Sequence, residues 1–236
     1  MIQTLLERKR YNMKIFVTSD THNDGVILRK LKDFTIENTF DLVIHCGDIG
    51  GKDKNARSLI EFGQYQKDQY NYFTEQFPNV LHILGNDDWF ESNKEKRISN
   101  YPDYYWCNYE ILSFEFVHIT PFNTNREANE NKIWYELSKL HDNFPVDSYT
   151  IIVAHDPPYD CLDMTNRGVK VGSKSVRDFI EVKQPKLWLC GHIHEDFGVK
   201  SIGNTGVFNC ACSPEKHLLR GWVIDTESLD FEKVVI

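Results

Sequence analysis

Acidic, amide and imidazole side chains recur along this chain in short clusters: Asp20-Thr21-His22, Gly47-Asp48, Gly85-Asn86-Asp87-Asp88, His155 and Gly191-His192-Ile193-His194. Oxygen and imidazole donors of this kind bind divalent transition metals. The two-residue spacing of Asp20 with His22, and of His192 with His194, projects each pair to one side of an extended segment and lets it converge on one site. Gly47, Gly85 and Gly191 permit sharp turns at which backbone approaches an ion. The competing reading, ordinary polar residues at strand ends, does not account for every cluster occupying the same kind of position.

That position follows from the pattern around them. Lys14 to Asp20 and Asp41 to Asp48 are short β-branched and aromatic runs that read as buried strands. Between them, from about Gly25 to Thr35, Val26, Leu28, Leu31 and Phe34 give a helix its buried side, so the unit is βαβ and its strands are parallel. Residues Asn55 to Phe77 carry Leu59, Phe62, Gln66, Tyr70, Phe73 and Phe77 at helical spacing, and Asn79 to Asn86 returns to strand. The tyrosines of this helix are assigned to packing rather than to base stacking. After a looser stretch from Trp89 to Tyr104, a strand lies within Glu110 to Phe122. A helix follows over Glu127 to Phe144, with Ile133, Trp134, Leu137, Leu140 and Phe144 on one face. Tyr149 to Asp156 is a further buried strand, stopped by Pro157 and Pro158. Ser173 or Ser175 caps the next helix, Lys186 to His192 is again strand, and the rest is β-rich. In parallel α/β sheets functional groups gather at the carboxyl ends of strands, where these clusters fall.

With 236 residues and 41% hydrophobic content, one large domain over 1–236 is expected, with 1–13 an N-terminal extension. A net charge of −8 argues against extensive nucleic-acid binding. No signal-peptide anatomy and no apolar run of membrane-span length is present, so a cytoplasmic protein without a membrane partner is expected. The scattered cysteines read as buried free thiols, and Cys210-Ala-Cys212 has no matching partner motif.

The ordered blocks DxH, GDxx, GNH(D/E), a separate His and GHxH resemble the calcineurin-like metallophosphoesterase family, and they run here from Asp20 to His194, most of the chain. The Pro-Pro loop after His155 and the Gly172-Ser173 helix start are similar to its compact bacterial and archaeal branch. The resemblance implies a four-layer α/β/β/α sandwich with mixed sheets and two divalent ions, manganese, iron or zinc. Asp20, His22 and His194 would hold one ion, and Asn86, His155 and His192 the other. Asp48 would bridge them, one oxygen to each ion, at a separation of about 3.5–4 Å. It also implies a phosphoesterase acting on a small phosphate ester, a phosphodiester in preference to a monoester, by attack of a metal-bound hydroxide without a protein nucleophile.

The third block departs from the family: Asp87 stands where a histidine is usual, next to Asn86, the other residue of this block expected in catalysis. A carboxylate beside two cations is held ionised and cannot protonate a leaving group, so relatively acidic leaving groups are expected, or another acid such as Asp156. Equally, Asp87 holds its loop or orients a ligand. Arg167 and Lys170 lie in a loop suited to a substrate phosphate, and Trp89 and Phe90 follow the third block as wall or packing residues. His45, His82, His118, His141 and His217 fall outside the pattern, His45 being next to the second block. The alternative to an enzyme is a scaffold module of the same fold with weakened metal chemistry.

Overall fold

The computed structural model describes residues 13–51, 59–88, 107–108, 115–119, 130–143 and 146–236. The first strand, β1 (Lys14–Thr18), is followed by α1 (Gly25–Glu37), β2 (Leu42–His45), α2 (Leu59–Gln76) and β3 (Val80–His82). Strands β1, β2 and β3 pair in parallel, the βαβ arrangement expected. Helix α1 starts where the Asp24 side chain accepts the N–H groups of Val26 and Ile27 at 2.9 and 3.0 Å. Its buried residues are Ile27, Leu28 and Leu31, a face rotated slightly from the expected one through Val26. Strand β3 ends well before Asn86, because residues 86–87 turn.

The second half begins with β4 (Cys107–Asn108), β5 (Glu115–Ile119) and α3 (Glu130–Asn143), then β6 (Ile151–Ala154), α4 (Lys174–Lys183) and β7 (Leu187–Cys190). Ser173 caps α4, its hydroxyl accepting the Val176 N–H at 3.2 Å. Strands β8 (Gly198–Ile202), β9 (Thr205–Asn209), β10 (Arg220–Asp225) and β11 (Phe231–Val235) complete the β-rich end.

These strands form two mixed sheets, of order β11-β10-β1-β2-β3 and β4-β5-β6-β7-β9-β8. Period-two alternation decides what each residue meets. Ile15, Val17, Ile44 and Leu81 of the first sheet face Ile151, Val153, Leu187 and Leu189 of the second. Phe16 points the other way, onto Ile27 and Leu31 of α1 and Tyr70 and Phe73 of α2. Ile152 and Trp188 likewise pack under Ile133 and Leu137 of α3 and Val176 and Ile180 of α4. The result is the expected sequence of layers: helices, sheet, sheet, helices. Each fully buried Leu, Ile or Phe in these three cores contributes about 1.5–3 kcal/mol.

Some packing expectations are corrected. Tyr65 and Tyr72 of α2 and Trp134 of α3 are exposed, because helical rotation carries them off the faces defined by Tyr70, Phe73, Ile133 and Leu137. Trp89 and Phe90 lie outside the described residues. Cys46, Cys161, Cys190, Cys210 and Cys212 are free and buried. Among the described residues no helix is long and apolar enough to cross a membrane.

The two sheets are joined where the chain passes from β9 to β10. Ala211 bridges to Ser19, the Cys212 N–H donates to Ser19 O at 2.9 Å, and Thr18 donates its hydroxyl to Arg220 O at 2.7 Å. This crossover runs past the carboxyl end of β1, where the first polar cluster begins.

Candidate metal centre

The polar clusters are not extended. Asp20, His22, Asp48 and His192 have φ of 57°, 46°, 56° and 70°, in the left-handed region that costs a non-glycine residue about 1–3 kcal/mol. The strand-like alternation expected for Asp20/His22 and His192/His194 is therefore replaced by tight turns, and His192 and His194 enter different groups. Backbone bonds hold the turns: Asp20 N–H to Gly47 O at 2.9 Å, His22 N–H to Asp48 O at 3.0 Å and Asn23 N–H to Ile49 O at 2.7 Å. Close approach does the rest. A Cβ on Gly85 would collide with Asp48, and one on Gly191 with Ser19 and the Asp20 carboxylate.

Asp20, His22 and His194 form one group whose ligand atoms lie within 4.8 Å of one another. His22 Nδ1–H donates to Gly50 O at 3.2 Å and His194 Nδ1–H donates to Glu215 Oε1 at 3.4 Å. Both rings therefore turn Nε2 inward, 3.2 Å from each other, with Asp20 Oδ1 3.2 Å from that of His194. Asp20 Oδ2 accepts the His192 N–H at 2.9 Å.

Asp48, His155 and His192 form the second group on the same criterion. His155 Nδ1–H donates to Cys46 O at 2.8 Å, leaving Nε2 beside Asn86 Oδ1 at 2.9 Å and Asp48 Oδ2 at 3.4 Å. Asp48 Oδ2 also lies 3.8 Å from His22 Nε2, so this one oxygen faces both groups. Its other oxygen, Oδ1, accepts the Asp87 N–H at 2.7 Å.

Asp87 is buried, with Oδ2 3.9 Å from His22 Nδ1, and forms a third grouping with His22 and Asp48. Sequence reasoning missed the residues that hold its loop. Asp88 accepts the N–H groups of Ile49, Gly50 and Gly85 at 3.1, 2.7 and 2.8 Å, tying the second block to the third. From α2, Gln69 accepts the Gly51 N–H at 2.7 Å and Gln66 donates to Asp87 O. Gln66 stood in the helical stripe, but nothing in its spacing distinguished a polar clamp from a core position.

His45 is buried behind the site. Its Nδ1 accepts the Gly47 N–H at 3.3 Å, so Nε2–H donates to Thr21 Oγ1 at 3.1 Å. Burial lowers its pKa to about 3, against the opposing charges of Asp20 and Asp48. His82 is buried and lowered likewise, between Tyr70 and Val80 O. Arg167 is exposed on the hairpin bridged at Met164 and Lys170, and no hydrogen bond or ion pair among the described residues joins it to either group. Lys170 pairs with Asp160.

The donor set fits cations. With Nδ1 committed to other partners, the inward Nε2 atoms and carboxylate oxygens present lone pairs to one another at 2.9–3.8 Å, which requires a proton or a cation between them. The same demand shows in the electrostatics. Burial opposes the charged forms of His155 and His194, but Asp48 and Asp20 outweigh it for His155, whose pKa is held well above the ordinary value, and Asp20 and Glu215 raise that of His194 to about 9. Burial would raise the Asp20 carboxyl, yet the His194 hydrogen bond and the charges of the surrounding histidines hold it well below the usual range.

Residues 13–196 match the family profile described as calcineurin-like phosphoesterase. The chain is 29% identical over 218 residues to the uncharacterized protein MJ1162 of Methanocaldococcus jannaschii, covering 84% of this chain and 87% of that protein. A UPF0046 protein of Caenorhabditis elegans is 25% identical over 223 residues, covering 84% of this chain and 69% of its own. Among solved structures, TT1561 of Thermus thermophilus superposes with a TM-score of 0.58 at 14% identity, covering 95% of this chain and 99% of that one.

Proposed function

From the chain's membership of the calcineurin-like phosphoesterase family, we propose that it hydrolyses phosphodiesters at a two-ion centre, with Asp20, His22 and His194 holding one divalent ion and Asn86, His155 and His192 the other. Asp48, whose Oδ2 lies 3.8 Å from His22 Nε2 and 3.4 Å from His155 Nε2, would be shared between them. The observation that carries this reading is the inward convergence of Nε2 from His22, His194 and His155 on carboxylate and amide oxygens, with each Nδ1 tied off behind. Bound ions would supply Lewis-acid polarisation of the phosphoryl oxygens and lower the pKa of a coordinated water. Manganese, iron and zinc all suit these oxygen and imidazole donors.

The protein's own contribution is alignment. The Asp87 N–H fixes the rotation of Asp48, the His192 N–H fixes that of Asp20, and the Gly50 and Cys46 carbonyls set the planes of His22 and His155. Preference for a diester follows from charge. Asp20, Asp48 and Asp87 bring three carboxylates to one centre, so less positive charge remains for substrate than with a histidine at 87. A singly charged diester loses less by this than a doubly charged monoester. With a carboxylate at 87 in place of a proton donor, the leaving group must depart largely unassisted, which favours acidic alcohols.

The test is hydrolysis of bis-p-nitrophenyl phosphate and of p-nitrophenyl phosphate by the manganese-loaded protein, with Asp48→Asn alongside. Diester turnover above monoester turnover, abolished in Asp48→Asn, is expected. Absence of turnover in protein shown to carry manganese would refute the catalytic reading.

A further inference from the structure

We infer that Glu215, beyond the matched region 13–196, is a positioning residue that sets how tightly the Asp20/His22/His194 group holds its ion, an inference that rests on the two-ion reading above. His22 and His155 donate Nδ1–H to backbone carbonyls of loops that are themselves part of the centre, Gly50 and Cys46. His194 instead donates to a side chain, Glu215 Oε1 at 3.4 Å, from the crossover between the two sheets. The other oxygen of Glu215 accepts the Ser213 hydroxyl at 3.5 Å.

The crossover is built to hold this carboxylate still. Glu215 lies in a 3-10 turn, Pro214–Lys216, closed by the Ser213 and Leu218 backbones, which exchange two bonds of 3.1 Å. His217 bonds Asp24 Oδ2 at 2.6 Å and its carbonyl accepts Lys30 Nζ at 2.8 Å, anchoring the turn to the start of α1 just past His22. From the far end of the crossover Arg220 donates to His194 O at 2.8 Å and to Cys212 O at 2.6 Å. The segment thus holds His194 by both its ring and its backbone.

A carboxylate on Nδ1–H fixes the tautomer that leaves Nε2 unprotonated, fixes the ring plane, and makes Nε2 a stronger donor to a cation; losing such a partner typically costs about 10–100-fold in metal affinity. The bonds of Glu215 run to His194 and Ser213, so the ion held through His194 is the one that should respond.

The experiment is calorimetric titration of the ion-free full chain with manganese chloride, for the parent, Glu215→Ala and Glu215→Gln, with ion-free melting curves of each. The expected result is two ions bound by the parent, one of them weakened about 10–100-fold in Glu215→Ala while the other is unchanged, and recovery in Glu215→Gln, whose amide oxygen accepts the same bond. Glu215 is largely exposed, so the melting curves should coincide. A Glu215→Ala titration identical to the parent overturns the role of Glu215 and leaves the two-ion reading intact. Equal weakening of both ions, or a lowered ion-free melting temperature without rescue by Gln, overturns it in favour of a structural turn. A parent that binds no ion overturns both readings.

Discussion

Gly85 backs directly onto the Asp48 carboxylate, with no room for a Cβ between them. The third block is therefore pressed against the carboxylate that faces both groups, and the same loop sends the Asp87 N–H to Asp48 Oδ1. Gly85→Ala is expected to push Asp48 off its place, with a stability cost of about 1–3 kcal/mol from overpacking. Melting curves with and without manganese check this: the variant should melt lower and should gain less from the ion than the parent does. An unchanged gain from manganese would show that Asp48 tolerates displacement.

Asp87→His tests the consequence of the carboxylate at that position. Introducing a proton donor is expected to speed hydrolysis of diesters with poor, alkyl leaving groups by at least about tenfold, against a full value for general acid catalysis of about 10²–10⁴. The p-nitrophenyl diester, whose leaving group needs no proton, should change little. Comparing kcat/KM for the two substrate types in parent and variant decides it; no gain on the alkyl ester would place Asp87 in a purely holding role.

His45 sets a pH dependence of stability. Buried with its Nδ1 facing the Gly47 N–H, it has a folded pKa of about 3, against an ordinary value of 6.5. Below pH 6.5 the unfolded chain takes up a proton that the folded chain refuses. Stability present above pH 6.5 is thus lost as pH falls towards 3, by about 1.4 kcal/mol per unit. Asp88 works in the opposite direction. Burial and the charge of Asp48 raise its carboxyl to about 7, so the folded chain gains a proton first and stability rises as pH falls from there. The difference between parent and His45→Gln isolates the histidine. In urea titrations with chelator present, the variant is expected to gain about 2 kcal/mol on the parent between pH 7.5 and pH 5. A pH-independent difference would mean that His45 takes up its proton in the fold as readily as in the unfolded chain.

The strands and the ordered polar blocks were legible because strand period and metal-donor chemistry both leave marks in local sequence. Ile15, Phe16 and Val17 announce a buried strand by type alone, and the clusters at Asp20, Asp48, Asn86, His155 and His192 each follow such a strand. What local sequence could not carry is the way the loops turn. Nothing in Asp20-Thr21-His22 distinguishes the extended alternation expected from the left-handed turns found, since those are imposed by bonds to Gly47, Asp48 and Ile49 of another loop. Glu215 and Gln69 were silent for a related reason: each is an ordinary polar residue until folding brings it to His194 or Gly51. Trp134 was read as packing because helical spacing fixes a face only to within a residue, and the neighbouring Ile133 took the core position.

The His192 N–H reaches Asp20 across 172 positions of the chain, and His194 reaches the same carboxylate across 174. Contacts of such sequence separation carry a large loop-closure cost, as does the pairing of β1 with β10, and they need both sheets in place to bring their ends together. Ions held there are therefore expected to be captured by a nearly finished fold and not to nucleate it. In stopped-flow experiments manganese should slow unfolding while leaving the refolding rate unchanged, the signature of interactions absent from the transition state. During synthesis, a nascent chain that has already released Asp20, His22 and Asp48 still has neither group complete until His192 and His194 have emerged and docked.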